Sequence, residues 1–423
     1  VSAPTHKLQA TGLAPEALKD TPFGESAISL EPGLSEKEMI INFGPQHPAM
    51  HGTLRLEMRL DGERVRDVAP EIGYLHTGFE KLGEYRTFNQ YVVVTDRMNY
   101  LSAMANNIGY ACAVEELLGI ELPPRAQAIR VLMAEMSRIS DHVLSVGLQA
   151  MDLGAFTAML WAFIEREKVY DVFELTSGGR LTTSYTRIGG LAFDLPEECE
   201  GRIRRFLDTL EAVLQEIEGM LSNNRIFLER SQGVGTFTRE QCVEYSVTGP
   251  VARASGVDRD LRRDRPYLCY EQYDFEVPVL TAGDVYTRYL IRMAEVRQSM
   301  RIVRQCLDTM PTGPYNALGK VTLPDKDDVY TKMESLIHHF MLEMPGHGLK
   351  TPLGQVYHAT ESPNGELGWF IVSDGTGVPY RVRVRPPSIY QFQAVQPMVK
   401  NSLVSDVVAV MSSLNVIAGE LDR

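Results

Sequence analysis

Two histidines four residues apart lie within Gly44-Pro45-Gln46-His47-Pro48-Ala49-Met50-His51-Gly52. On a helix this spacing would put both imidazoles on one face, as in many metal sites. Pro48 follows His47 directly, however, and proline pushes the residue before it out of the helical region. Glycines at both ends and Pro45 make the stretch a loop, with apolar strands expected at 39–43 and 53–60. A loop tip carrying two imidazoles suits polar recognition or proton handling. A structural turn whose histidines only satisfy backbone groups has the same composition. Three further polar residues stand where helix packing favours apolar ones. Tyr100 is expected to open a long helix, His142 interrupts another, and Asp152 lies in an apolar break. A phenol, an imidazole and a carboxylate are groups that carry protons to a substrate. Each also has a plainer reading: a core ring with a wet hydroxyl, a hydrogen-bonded core histidine, a helix cap.

The elements that must position these groups follow from periodicity. Leu54, Leu56, Met58 and Leu60 alternate with polar residues, and Asp61-Gly62 is a hairpin turn signal before a return strand at 65–68. A short helix is expected near Phe79-Glu80-Lys81, and a helix rich in Ala, Met and Leu over 100–119. Pro123-Pro124 then opens a long helix with Ile129, Leu132, Met136, Ile139, Val143 and Val146 at spacings of three and four. Over residues 125–150 it would extend about 39 Å. Further helices are expected at 151–177, 203–221, 284–310, 329–340 and 403–416, with a second hairpin around Asp374-Gly375-Thr376-Gly377. Residues 222–283 show little periodicity. Their Gly233-Val234-Gly235 lacks the third glycine and the strand–helix setting of a dinucleotide loop. The expected architecture is α+β: a central long-helix bundle with small β-hairpins in the N- and C-terminal regions. Its divisions are an extended tail at 1–36, a hairpin region with the histidine loop at 37–95, a helical bundle at 96–345, and a hairpin and helix at 346–423.

Composition narrows the function classes. The 423 residues carry a formal net charge of −13, which argues against nucleic acid and gives no support to a polybasic membrane patch. No apolar run approaches the roughly 18 residues of a spanning helix. The five cysteines are far apart and form no CxxC pair, which suits a reducing compartment and offers no cysteine metal site. A soluble protein on the cytoplasmic side is expected.

Several stretches, in order, resemble one family. Residues 44–52, Gly73-Tyr74-Leu75-His76-Thr77-Gly78-Phe79-Glu80-Lys81, residues 96–101, Arg187-Ile188-Gly189-Gly190, Arg253-Ala254-Ser255-Gly256 and Gly419-Glu420-Leu421-Asp422-Arg423 are similar to motifs of the D, or 49-kDa, subunit of respiratory NADH:quinone oxidoreductase, complex I. The similarity runs from about residue 38 to residue 423. It implies a fold shared with the large subunit of nickel–iron hydrogenases, which hold their metal with two CxxC pairs. The corresponding regions here, around 96–100 and 422–423, contain no cysteine, so the soft ligands for nickel are missing and no metal is expected in this chain.

In place of the metal the resemblance implies a quinone headgroup. His51 and Tyr100 would bond to its two carbonyl oxygens, and Asp152 would pair with His51. It places Thr182 and Arg187 near the iron–sulfur cluster of the neighbouring B subunit. Many relatives have a histidine where Thr182 stands. A hydroxyl does not titrate near neutrality, so a cluster potential that hardly varies with pH is expected. NADH and FMN would sit in other subunits, with the B, C, H, A and I subunits as partners. The quinone would arrive through a channel in the H subunit of the membrane arm. The implied location is peripheral, on the cytoplasmic side of a bacterial inner membrane, and the implied activity is quinone reduction coupled to proton translocation. A ferredoxin-dependent quinone oxidoreductase and a metal-bearing hydrogenase-like subunit are the alternatives.

Overall fold

The computed structural model describes residues 28–29, 38–50, 52–317, 319, 321–344 and 347–423; His51 and the rest of the expected tail at 1–36 lie outside the described residues. The alternation over residues 54–60 produces the first sheet. It comprises β1 (Ile28–Ser29), β2 (Glu38–Phe43), β3 (Arg55–Asp61) and β4 (Arg64–Glu71), antiparallel and in that order. Leu56, Met58 and Leu60 are buried on one face, and Asp61 pairs with Arg64 across the expected turn. The outer edge of β4 is covered by residues 401–404, which exchange backbone hydrogen bonds with Glu63 and Val65. An exposed edge would otherwise invite pairing with another chain.

The helical part begins with α1 (Phe79–Gly83), α2 (Phe88–Thr95) and α3 (Ala103–Leu118). Then come α4 (Pro124–Asp152), α5 (Phe156–Ser177), α6 (Glu197–Leu221) and α7 (Val285–Asp308). Pro124 occupies the first turn of α4, where a missing amide N–H costs nothing. The core of the bundle is made by α4 with α5, α6 and α7, through Leu132, Met136, Val169, Phe206, Leu210, Val296 and Met300 among others. Helix α4 is enclosed on all sides, and its charged residues Arg130, Glu135, Arg138 and Asp141 are buried with the rest.

They are paired. Arg130 meets Glu115 at 2.6 Å and also donates to the carbonyls of Arg187 and Gly190, which fixes the loop that carries Arg187. Glu135 accepts from Arg262, Tyr270 and Ser299. Removing one partner of such a buried pair costs about 3–5 kcal/mol, because the other charge is left uncompensated.

The third layer is a sheet of β7 (Leu353–Ser362), β8 (Gly365–Asp374) and β9 (Arg381–Arg385), in that order. The two-residue strands β5 (Thr186–Arg187) and β6 (Gly190–Leu191) form a small ribbon. Trp369 of β8 is fully buried with Tyr91 and Tyr110 in edge-on contact, which seats the sheet on α2 and α3. The chain then runs through α8 (Val404–Leu414) and α9 (Ala418–Asp422). The α+β expectation is what the structure shows, with small antiparallel sheets near either end of the sequence.

Several elements differ in detail from the expectation. Helix α3 starts at Ala103, not at residue 100, because the Asn99 side chain accepts from the amides of Leu101 and Ser102 and holds a turn there. Helix α4 runs through Asp152, and the break falls at residues 153–155, where Ala155 donates back to the Ala150 carbonyl at 2.8 Å. The aperiodic stretch at 222–283 contains helices too short to show a period, such as Arg225–Ser231 and Pro250–Ala254. The helix expected at 329–340 is two, Lys326–Thr331 and Met333–Glu343, parted at Lys332. Helix α2 and strand β7 were not expected.

Candidate functional site

The histidine loop is built by its neighbours in sequence. Gly44 has φ +89°, and a side chain there would collide with Met50 and the Leu54 carbonyl, so the chain turns tightly beneath the loop. Residues Pro48–Met50 form a single 3₁₀ turn, with Met50 donating to the His47 carbonyl at 2.9 Å. The His47 ring accepts from the Ala49 amide at 3.2 Å and lies 4.0 Å from the Phe43 ring. His47 therefore has the structural role, and its imidazole fixes the turn.

Ala49 and Thr53, on either side of position 51 in sequence, both line one cavity. Opposite them the cavity is lined by Tyr100, by Ser145 and Asp152 of α4, and by Asn415, which follows α8. Its volume of about 110 Å³ exceeds many times the roughly 10–15 Å³ that one water needs. Tyr100 and Asp152, 52 positions apart in the chain, thus meet in one place. Helix α4 brings Ser145 and Asp152 to the same face, two turns apart.

The turn that holds Tyr100 is fixed from three sides. Asp96 accepts from the Ser184 amide at 3.0 Å and from its hydroxyl. Asn106 donates to the Asn99 carbonyl at 3.2 Å. Gly419 packs so closely under the carbonyls of Arg97 and Met98 that a side chain would not fit. The Tyr100 ring is half-buried. Burial and then the charge of Asp141 raise its phenol pKa, while Arg166 acts against them. Such a phenol keeps its proton until a strongly basic oxygen appears beside it.

Asp152 is the last residue of α4, and the N-cap of α5 is Ala155. A carboxylate at a helix C-terminus opposes the macrodipole, so neither helix explains its presence. His142 is buried on α4, with Nε2 2.8 Å from Glu295, and burial lowers its pKa against the pull of that carboxylate. It is a core histidine, away from the cavity lining. Thr182 and Arg187 are exposed on the segment between α5 and β6 and do not line the cavity. That segment is nevertheless docked to the Tyr100 turn through the bond from Ser184 to Asp96. Among the described residues no cluster of three or more His, Cys, Asp or Glu could hold a metal. All five cysteines are buried and unpaired.

Sequence reasoning missed three polar residues around the cavity: Ser145, Asp141 and Asn415. Asp141, Ser145 and Asp152 follow one another on one face of α4, and that spacing of polar residues was the available signal. It was hidden by attention to the apolar stripe on the same helix.

Three of the motifs that carried the resemblance, residues 73–81, 96–101 and 419–423, touch one another. Asp422 accepts from the amides of Gly73 and Leu75 at 2.9 and 2.7 Å, and Arg423 meets Glu80 at 3.1 Å. Known proteins agree with the resemblance. Residues 152–423 match the family described as respiratory-chain NADH dehydrogenase, 49 Kd subunit. The D subunit of the NADH-quinone oxidoreductase of Geotalea uraniireducens is 48% identical over 390 residues, covering 92% of this chain and 100% of the relative. Its counterpart in Akkermansia muciniphila is 50% identical over 386 residues, covering 91% and 93%. The chain belongs to the family of D, or 49-kDa, subunits of the respiratory-chain enzyme NADH-quinone oxidoreductase.

Proposed function

We propose that the cavity between the histidine loop, Tyr100 and Asp152 receives the headgroup of a quinone and that this chain forms one wall of the reduction site. The observation that carries the reading is the meeting of Tyr100 and Asp152 in a single cavity that residues on both sides of position 51 also line. Reduction of a quinone takes two electrons and two protons, and its oxygens become strongly basic as the electrons arrive. The Tyr100 hydroxyl donates to one oxygen and the His51 imidazolium to the other. The Asp152 carboxylate keeps His51 protonated, since a nearby negative charge favours the charged imidazole.

The electrons come from an iron–sulfur cluster of the neighbouring B subunit, with Thr182 and Arg187 on the side that faces it. NADH and FMN belong to further subunits; the C, A and I subunits are further partners, and this chain sits in the peripheral arm on the cytoplasmic side of the membrane. No helix among the described residues is long and apolar enough to cross a membrane. The quinone reaches the site through the H subunit of the membrane arm. Proton translocation is coupled to the protonation of the reduced quinone.

Tyr100→Phe removes one hydroxyl and tests the assignment in the assembled complex. Quinone reduction should fall by roughly 10²-fold or more, the scale of a lost general acid. Electron transfer from NADH to an artificial acceptor upstream should persist. Near-normal turnover with the native quinone would remove Tyr100 from the mechanism.

A further inference from the structure

Behind the cavity wall lies a second group of polar side chains that the quinone reading leaves without a task. Asp141 is on the cavity-facing side of α4, one turn before Ser145, and is fully buried. Asn415, which lines the cavity, donates to Asp141 Oδ1 at 2.6 Å, so Asp141 stands one hydrogen bond behind the wall. Its other oxygen, Oδ2, is buried without a hydrogen-bond partner, and so is the hydroxyl of Ser145, which also lines the cavity. Glu420 of α9 is the next acid inward. It is 1% exposed, accepts weakly from the Ser388 amide at 3.4 Å, lies beside Asn99, and has Oε2 buried without a partner. Buried polar atoms without partners are rare and call for an explanation.

The charges around the two acids give one. Asp141 faces His142 on its own helix, Arg166 from α5, Arg292 from α7 and the Tyr100 phenol. Burial raises the Asp141 carboxyl, and His142, Asn415, Arg292 and Arg166 act against it. Burial pushes Arg292 down to about 10, so it stays cationic at neutral pH and favours a carboxylate at Asp141. Glu420 has no comparable cation among the described residues. Burial, with the nearby Asp141 charge, pushes its carboxyl up to about 8, and it is protonated at neutral pH. Two carboxyl groups close together in a dry interior do not both ionise readily.

We infer that Asp141 and Glu420 form a buried proton store behind Tyr100, which returns a proton to the phenol each time Tyr100 gives one to the quinone. This rests on the quinone reading above. The balance is simple. The O–H bond of Tyr100 breaks as one forms on the quinone oxygen. A proton from Glu420 passes to the Asp141 carboxylate and on through Ser145 or water between them to restore the phenol. Both acids are then carboxylates until a proton arrives from solvent and reprotonates Glu420, and the electrons are those of the quinone reduction proposed above. Both acids are positioning residues that act through Tyr100 and do not touch the quinone.

The test uses assembled complex in membranes, with NADH oxidation by an upstream artificial acceptor as the measure of assembly. In the wild type, quinone reduction should decline as pH rises through about 8 and be roughly tenfold lower at pH 9 than at pH 7. Glu420→Gln and Asp141→Asn should each be slow at pH 7 and lack that decline. The double variant should be no slower than either single one, because the two lie on one path. Glu420→Asp should restore the decline, which a merely structural role for Glu420 does not predict. If Glu420→Gln fails to assemble, Asp141→Asn and Glu420→Asp give the same reading. Wild-type rate and pH profile in Glu420→Gln and Asp141→Asn, with Tyr100→Phe crippled, would overturn the store alone. Normal turnover in Tyr100→Phe would overturn the quinone reading beneath it.

Discussion

Of the groups at the cavity, Asp152 is the one whose two readings now separate most cleanly. As a helix cap it would bond to first-turn amides of α5, and Asn would serve equally well. It is instead the final residue of α4, three positions before the N-cap of the next helix. Asp152→Asn should therefore not be silent. If Asp152 holds His51 in its charged form, losing the carboxylate lowers the pKa of the imidazole towards the ordinary value of about 6.5. A group that must be protonated then empties at lower pH. Quinone reduction should be slower and should fall more steeply between neutral and mildly alkaline pH, with the upstream activity unchanged. A pH–rate profile that overlays the wild type would return Asp152 to a structural role. The residue types of this site were legible in the sequence: Tyr100 and Asp152 stood out as polar groups in apolar surroundings. Asp141 and Glu420 did not, because a charged residue reads as solvent-facing until the helix that bears it is known to be enclosed on every side.

Among the elements, α4 decides the geometry, and its contact with α5 is the tightest constraint on it. Gly147 lies in the last two turns of α4. A Cβ added there would stand 2.7 Å from the Cβ of Ala162 and 3.2 Å from the Cα of Met159, both on α5. Two effects compete in Gly147→Ala. Alanine is the better helix former by about 1 kcal/mol. Forcing a methyl into a packed interface costs about 1–3 kcal/mol, and here one obstacle is backbone, which cannot rotate away. The packing effect should win. Thermal inactivation of the assembled complex should occur at lower temperature in Gly147→Ala and recover in the pair Gly147→Ala with Ala162→Gly. Unchanged stability in the single variant would mean that α4 and α5 separate without cost. The long helices were legible because their apolar spacing repeats over many turns. Helix α2 was missed although Thr87 and Gln90 form a capping box, since Val92, Val93 and Val94 look like a strand. Strand β7 was missed because its buried residues include the polar Thr360, Glu361 and Ser362, the last two of which Arg138 and Arg253 reach from elsewhere in the chain.

For the whole molecule, the sequence displayed the motifs in order but not that they touch. Residues 73–81, 96–101 and 419–423 are far apart in the chain, and only tertiary structure puts Gly419 beneath the Met98 carbonyl and Asp422 under the loop at 73–75. That last contact makes the fold's ends depend on one another. Asp422 accepts two amides, and its own carbonyl lies 2.6 Å from the His76 ring nitrogen. Hydrogen bonds to a charged acceptor contribute about 1.5–3 kcal/mol each. The adjoining Arg423–Glu80 pair ties α1 to the same point. Asp422→Ala should free residues 73–78, which have no strand or helix of their own. Because α9 also carries Glu420 and Gly419, the same change should loosen the turn that holds Tyr100. The expected result is new protease cleavage within 73–78 and a loss of quinone reduction larger than any loss of upstream electron transfer. Asp422→Asn keeps one oxygen acceptor and should fall between Ala and wild type in both measurements. If Asp422→Ala resists proteolysis and turns over quinone as the wild type does, the junction is a contact of the folded chain on which the site does not depend.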